Sequence, residues 1–524
     1  MEVRSMNVSL FLEQHASHNP DRVALYFNDR SWSYGEVHEI VCRLADGLRN
    51  LGVQRGDRVA VMLPNWPEFH FCTHATWALG AVEVPVNVMF REEETAYILG
   101  NAEAVVVFAS SQGAEIIQRV RDRLPHLKAV VTVGAGDVPG AIHFAGLLAR
   151  GDVNYRVQDL HPDALAVIAY TSGTTGFPKG AMISHYNMIV SMQALRDYLD
   201  LTDRDNIMQP LPCFHSNASL IGIIFAWYLG SSAILVERIE ARDFARTVEI
   251  TRPSFFACVP TVLYDIVHMP EAADFSSVRY VVFGAAPTPP ELRRRIEQRF
   301  GLKMLQSYGM TESPNAYTLD PIDRPIKHAA VGLPLPHLSF KIVDGDDRTL
   351  PIGEVGEICA GPQTSGSYAG LYKPMLGYWK NPQATEEALK GGYLHTGDLG
   401  RLDEDGFVHV VDRKKDMIIR GGNNIFPAEL ERALQEDPRV LECAVVGVPH
   451  DRLGEVPKAF IRLRPEASAS DLEFMDLIER RLARYKRLEA VEFVEEFPRN
   501  ALGKILKRTL RAQEVEKYQA RTVG

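Results

Sequence analysis

The stretch Leu165-Ala166-Val167-Ile168-Ala169-Tyr170-Thr171-Ser172-Gly173-Thr174-Thr175-Gly176-Phe177-Pro178-Lys179-Gly180 decides how the rest of the chain is read. Leu165 to Tyr170 reads as an apolar strand, and it empties directly into a loop of glycines and hydroxyls. The glycines permit positive φ and close backbone approach. Hydroxyls and backbone N–H groups can cradle a phosphate, and Lys179 supplies a compensating charge. The spacing is not that of a Walker loop, because no Ser or Thr follows the lysine. A plain Ser/Thr/Gly surface loop would not need this order of residues behind a strand.

The same strand-and-helix texture extends to both sides. Ser33-Tyr34-Gly35-Glu36 is a capping box, and Val37, Ile40, Val41, Leu44, Leu48 and Leu51 follow at helical spacing until Gly52. Arg58–Leu63, Val105–Phe108, Ala129–Val133, Ser254–Val259 and Tyr280–Phe283 read as further strands. Alternation of this kind argues for a doubly wound α/β sheet. After about residue 335 short strands dominate: Ser339–Val343, Glu357–Ala360 and Gly406–Val411, separated by Gly and Pro. That texture suggests a small barrel or meander. The charged run Asp412-Arg413-Lys414-Lys415-Asp416 reads as a hinge or linker. The expected class is α/β. Residues 1–412 form a large N-terminal domain of doubly wound sheets, with a small β-barrel-like subdomain from about residue 335. Residues 413–524 form a smaller, mobile α+β C-terminal domain.

Composition bounds the function. The chain has 524 residues, enough for three to four domain-sized units, with 46% apolar and 24% charged residues. Lys+Arg number 57 against 67 Asp+Glu, a net charge of −10, which argues against nucleic-acid binding. The 6 cysteines are scattered and form no CxxC pair, so a zinc knuckle is not expected and a reducing, cytoplasmic location is. Met1 to Asn19 lacks the apolar core of a signal peptide. Ile207 to Val236 carries no Asp, Glu, Lys or Arg, yet Pro210, Pro212, His215 and Asn217 interrupt it. It reads as a buried helix followed by a buried strand rather than a membrane span.

Further motifs follow the loop: Phe214-His215-Ser216-Asn217, Gly284-Ala285-Ala286-Pro287, Gln306-Ser307-Tyr308-Gly309-Met310-Thr311-Glu312, Tyr393-Leu394-His395-Thr396-Gly397-Asp398, Gly421-Gly422-Asn423-Asn424 and Pro498-Arg499-Asn500-Ala501-Leu502-Gly503-Lys504-Ile505. In this order, from about residue 8 to about 510, the chain resembles the adenylate-forming superfamily, acyl-CoA synthetase branch. The resemblance implies that ATP phosphates lie on Thr171, Ser172, Gly173, Thr174, Thr175, Gly176 and Lys179. It implies adenine against Gly284, Ala285, Ala286, Pro287 and the segment Ser307, Tyr308, Gly309 and Met310, with Thr311 on phosphate and Glu312 holding Mg²⁺. Asp398 would read the ribose with Arg413 as its partner, Lys415 would be the hinge, and Lys504 the catalytic lysine. Gly421 and Gly422 would line the tunnel for coenzyme A.

His215 stands where amino-acid adenylation domains carry an aspartate, which disfavours an amino-acid substrate; a satisfied core histidine is the bland reading. The expected reaction is activation of a carboxylic acid to acyl-AMP with pyrophosphate release, then transfer to coenzyme A. Two alternatives stay open: an adenylase serving a separate carrier protein, and a nucleotide-binding scaffold without catalysis. A homodimer also stays open, as does the choice among fatty, aryl and polycyclic acids. Thr364–Pro374, rich in Gly, Ser and Tyr, reads as a surface loop beyond the usual link. Tyr485-Lys486-Arg487-Leu488 departs from the family pattern. Arg499, Lys507, Arg508 and Arg511 read either as contacts for coenzyme A phosphates or as a solvated helix face.

Overall fold

The computed structural model describes residues 6–171, 178–238, 241–267, 274–284, 288, 290–420, 423–499 and 505–522. The chain divides into two compact units, Met1–Phe340 with Ala360–His395, and Lys341–Cys359 with Thr396–Gly524. The expected break at 412/413 falls inside the second unit.

The first unit holds two large sheets. One has eight strands in the order Gly377–Tyr378, Lys179–Ser184, Leu165–Thr171, Val82–Pro85, Arg58–Met62, Ala104–Ser110, Ala129–Val133 and Ile142–His143. From Leu165–Thr171 to Ile142–His143 its pairs are parallel, whereas Lys179–Ser184 and Gly377–Tyr378 are added antiparallel. The inner strands are short apolar runs covered on both faces, as a parallel sheet requires. The other sheet has nine strands and is parallel through Asn206–Gln209, Phe255–Cys258, Tyr280–Phe283 and Met304–Met310. Trp77, Phe225 and Trp227 are fully buried in the main core. The capping box at Ser33 and Glu36 starts the helix Tyr34–Asn50 as the sequence predicts.

The uncharged stretch 207–236 is not one helix. Ser216–Leu220 and Ile223–Leu229 are separate, and the strand Ser232–Leu235 follows. The break has a local cause. A Cβ on Gly222 would lie 2.3 Å from Gln209 Oε1, and that same oxygen accepts from the Ile223 N–H at 3.0 Å. Among the described residues no helix is long and apolar enough to cross a membrane.

Leu338–Val343, Gly356–Pro362, Leu394–Leu402 and Val408–Arg413 follow one another as a four-stranded sheet. A five-stranded sheet comprises Asn423–Ile425, Ile418–Arg420, Gly454–Leu463 and Val440–His450, with Ala490–Phe493 on Gly454–Leu463. Ile418, Leu430, Val445, Ile461, Phe474 and Ile478 form its core with the helices Pro427–Gln435 and Asp471–Arg481.

Candidate active site

Thr171 ends the strand that leads into the glycine loop, and Thr311 and Glu312 form the two-residue turn between the paired residues Met310 and Ser313. The fold brings these two places together. Thr171 Oγ1 donates to Glu312 Oε1 at 3.3 Å, and the Tyr378 hydroxyl donates to the same oxygen at 2.8 Å. Glu312 is 6% exposed. Burial, and then the Glu312 carboxylate, hold the Tyr378 hydroxyl far above its ordinary range, so it stays a donor. The Lys179 ammonium lies 5.2 Å from the Tyr378 ring centroid, within cation–π range. One carboxylate oxygen is thus fixed by two hydroxyls, while among the described residues the other takes no protein hydrogen bond. A hard carboxylate oxygen left open near Lys179 is a donor that suits Mg²⁺.

The tyrosine is carried in by the chain before it. Gly377–Tyr378 pairs with Ala181 and Met182, the Met375 N–H donates to the Glu312 carbonyl at 2.8 Å, and Trp379 Nε1 donates to the Asn101 carbonyl at 3.0 Å. Thr364–Pro374 is not a free surface loop. Tyr368 and Tyr372 are buried. The Tyr372 hydroxyl donates to Ser313 Oγ at 2.9 Å, and the Tyr368 hydroxyl donates to Asp197. Asn187 Nδ2 caps the carbonyls of Lys373 and Pro374.

Tyr308 sits on Met304–Met310 with its ring 5.5 Å from that of Tyr317. Gly284 follows the adjacent strand, where a Cβ would stand 2.5 Å from the Ser307 carbonyl oxygen. Only glycine lets the two backbones approach this closely. His215 packs against Phe214, ring centroids 4.6 Å apart. Burial pushes its imidazole down to about 4, so it is neutral at neutral pH. Its Nε2 is buried and has no hydrogen-bond partner among the described residues.

The second unit holds its own cluster. Asp398, 5% exposed, is the cross-strand partner of Arg413, and Arg413 Nε reaches Asp398 Oδ1 at 3.1 Å. Glu357 accepts from the Gly397 N–H at 3.1 Å and from Lys414 at 2.9 Å, so Lys414 is engaged rather than merely solvated. Exposed Lys415 ends this run and its carbonyl accepts from Arg511. Lys507 pairs with Glu431, Arg499 with Glu442 and Arg511 with Glu455. These three cations are already neutralised, which weakens their reading as contacts for coenzyme A phosphates. The 485–488 departure is anchored too, because Arg420 donates to the carbonyls of Tyr485 and Arg487 and Lys486 pairs with Glu429.

Residues 12–369 match the AMP-binding enzyme family, and residues 429–504 match the AMP-binding enzyme C-terminal domain. The chain belongs to this adenylate-forming family, on its acyl-CoA synthetase branch. It is 34% identical to an indoleacetate–CoA ligase of Aromatoleum aromaticum, over 97% of this chain and 98% of that one. It is 32% identical to a long-chain-fatty-acid–CoA ligase of Bacillus subtilis, over 97% and 94%. The structure of an anthranilate CoA ligase in complex with anthranoyl-AMP superposes with a TM-score of 0.88 at 27% identity, covering 99% of this chain and 98% of that one. As an acyl-CoA synthetase the protein activates a carboxylic acid with ATP to acyl-AMP and passes the acyl group to coenzyme A.

Ser172, Gly173, Thr174, Thr175, Gly176, Ala285, Ala286, Pro287, Gly421, Gly422 and Lys504 lie outside the described residues. Of the rest, the structure joins Thr171, Lys179 and Glu312 in one unit and Asp398 and Arg413 in the other. Sequence reading missed Tyr378 and Tyr372. The sole trace of Tyr378 is an aromatic pair behind a glycine, Gly377-Tyr378-Trp379, with nothing in its spacing to tie it to Thr171 or Glu312.

Proposed function

We propose that this synthetase takes an apolar carboxylic acid, aliphatic or aryl, and divides the work among the residues above. The loop from Thr171 to Lys179 binds the ATP phosphates. Tyr308 and Gly284 hold adenine, Asp398 with Arg413 holds the ribose, and Thr311 touches the α-phosphate. Glu312 would hold Mg²⁺, which when bound neutralises phosphate charge. His215, kept neutral by burial, offers the acid no ion pair beyond its reacting carboxylate, which supports the exclusion of amino acids. An attacking carboxylate and a polyphosphate repel each other, so a preorganised cation at their meeting point lowers the barrier. Lys504 is that cation. After pyrophosphate leaves, the segment bearing Lys504 moves about Lys415, and the coenzyme A thiolate adds to the acyl carbon and expels AMP as the C–O bond breaks. Gly421 and Gly422 then leave room for the thin pantetheine arm.

The observation that carries this reading is the shared grip of Thr171 and Tyr378 on Glu312, which ties the phosphate loop to a single metal-competent carboxylate. The test is AMP release across a panel of fatty, aryl-alkanoic and amino acids, with and without coenzyme A. Turnover is expected with apolar acids and dependent on coenzyme A. Preference for amino acids, or turnover indifferent to coenzyme A, contradicts it. Oligomeric state enters none of these steps.

A further inference from the structure

Glu83 has no part in the reaction described above. It interrupts an apolar run, Ala81-Val82-Glu83-Val84-Pro85-Val86. Its strand lies inside the eight-stranded sheet, between Arg58–Met62 and Leu165–Thr171, and the residue is 4% exposed. Among the described residues one side chain bonds to it: the Thr73 hydroxyl donates to Oε1 at 2.7 Å. Burial pushes this carboxyl up to about 7, and the Thr73 bond only partly opposes that. A buried carboxyl with an unused oxygen is costly unless something else meets it.

Glu83 lines a cavity of about 20 Å³ together with Val167, Cys213, Ser219, Ile224 and Pro314. One water requires roughly 10–15 Å³, so the space admits a group of that size. The other polar groups there are engaged. Ser219 donates its hydroxyl to the Cys213 carbonyl at 2.7 Å, and the Cys213 thiol meets Gln209 and His70. Position ties the cavity to the reaction. Glu83 pairs in register with Val167, so their side chains share a sheet face. Thr171, four residues farther along, lies on the same face at about 13 Å. Cys213 is two residues before His215, and Pro314 two after Glu312. An acid whose carboxylate meets the α-phosphate near Thr171 and whose tail follows this face would end at Glu83.

We infer that Glu83 is a specificity-determining residue, whose carboxyl hydrogen-bonds a hydroxyl at the end of the substrate acid remote from the reacting carboxylate. The inference rests on the acyl-activating reading above. A protonated carboxyl both donates and accepts, as a hydroxyl does, whereas an acid without the hydroxyl leaves Glu83 facing an apolar atom.

The experiment compares kcat/KM for two matched pairs, 4-hydroxycinnamate against cinnamate and 8-hydroxyoctanoate against octanoate. It uses the full-length enzyme and its Glu83→Gln, Glu83→Leu and Thr73→Val variants. Wild type is expected to favour the hydroxylated member of at least one pair by about tenfold, the scale of one well-placed hydrogen bond. Glu83→Gln, which keeps a donor and an acceptor, should retain most of that ratio, as should Thr73→Val. Glu83→Leu should abolish or invert it. A ratio near one in wild type for both pairs, or a ratio unmoved by Glu83→Leu, overturns the inference and leaves the cavity to a structural water. Both of those outcomes leave the synthetase reading standing. Absence of AMP release with all four acids, and with the wider panel, removes that reading and the inference with it. If Glu83→Leu does not fold, Glu83→Met stands in for it: a ratio abolished there while Thr73→Val keeps it supports the same assignment, and a ratio kept alike in both contradicts it.

Discussion

At the scale of single residues, the decisive side chain is Tyr378. Its hydroxyl and that of Thr171 converge on one oxygen of Glu312, which orients the second oxygen without contributing charge. Groups that orient a metal-binding carboxylate commonly alter metal affinity by about 10–100-fold when removed. Tyr378→Phe should therefore raise the Mg²⁺ concentration for half-maximal pyrophosphate exchange by roughly tenfold, with a smaller change in the rate at saturating Mg²⁺. An unchanged Mg²⁺ requirement would show that Tyr378 merely packs. His215 and Glu83 share a physical logic. Each is a titratable group whose charged form burial disfavours, so His215 is a neutral polar surface near neutral pH and Glu83 keeps its proton well above the ordinary carboxylate range.

At the scale of elements, the short strand Gly377–Tyr378 is what places that hydroxyl. Gly377 has φ +135°, and a Cβ there would stand 2.6 Å from Thr385 Cγ2. The Thr385 hydroxyl in turn accepts from the Tyr378 N–H at 2.8 Å. Gly377→Ala should displace the strand. We expect a loss of about 1–3 kcal/mol in stability, together with the raised Mg²⁺ requirement of Tyr378→Phe. Calorimetry and the Mg²⁺ titration measure the two effects separately; a normal requirement in a folded variant would break the link between strand and carboxylate. Elements were also where sequence reading succeeded most. Tyr280–Phe283 and Ala129–Val133 match their expected bounds, and Leu165–Tyr170 is extended only by Thr171. Short apolar runs between turn residues carry that information locally. The buried tyrosines of Thr364–Pro374 did not show themselves, because a Gly/Ser/Tyr stretch looks the same whether its rings face water or Ser313. The split at Gly222 of the helix expected within 207–236 depends on the Gln209 side chain, a contact between elements. Glu312 was legible from its motif, and Tyr378 was not, because a tertiary contact leaves no spacing in the chain.

At the scale of the molecule, the first unit buries a set of neutral histidines. Burial pushes His70 and His185 down to about 3 and His215 and His337 to about 4, and it holds His74 well below the ordinary range. When the chain unfolds these rings regain a value near 6.5, so below that pH the unfolded state binds protons that the folded state refuses. Their stabilising effect is full above about pH 6.5 and is lost as pH falls toward 4. Glu83 acts in the opposite sense: it holds its proton in the fold up to about 7, so its contribution declines as pH rises from 4.5. Burial also raises Glu68 and Asp320 in this unit. Five histidines outweigh these carboxyls between pH 5 and 6.5. All 5 tryptophans, at 32, 66, 77, 227 and 379, lie in this unit, so their fluorescence follows its urea transition alone. The midpoint should fall between pH 7 and pH 5, and His70→Gln should flatten the slope. A flat midpoint would mean that the rings are charged in the fold.

The central claim is that one mobile cation, Lys504, serves the first half-reaction and not the second. Its most direct test is Lys504→Ala assayed on each half separately. Isotopic pyrophosphate exchange should drop by at least ~10²-fold, while thioester formation from supplied acyl-AMP and coenzyme A stays within about threefold of wild type. Exchange at the wild-type rate, or equal loss of both halves, would contradict the account.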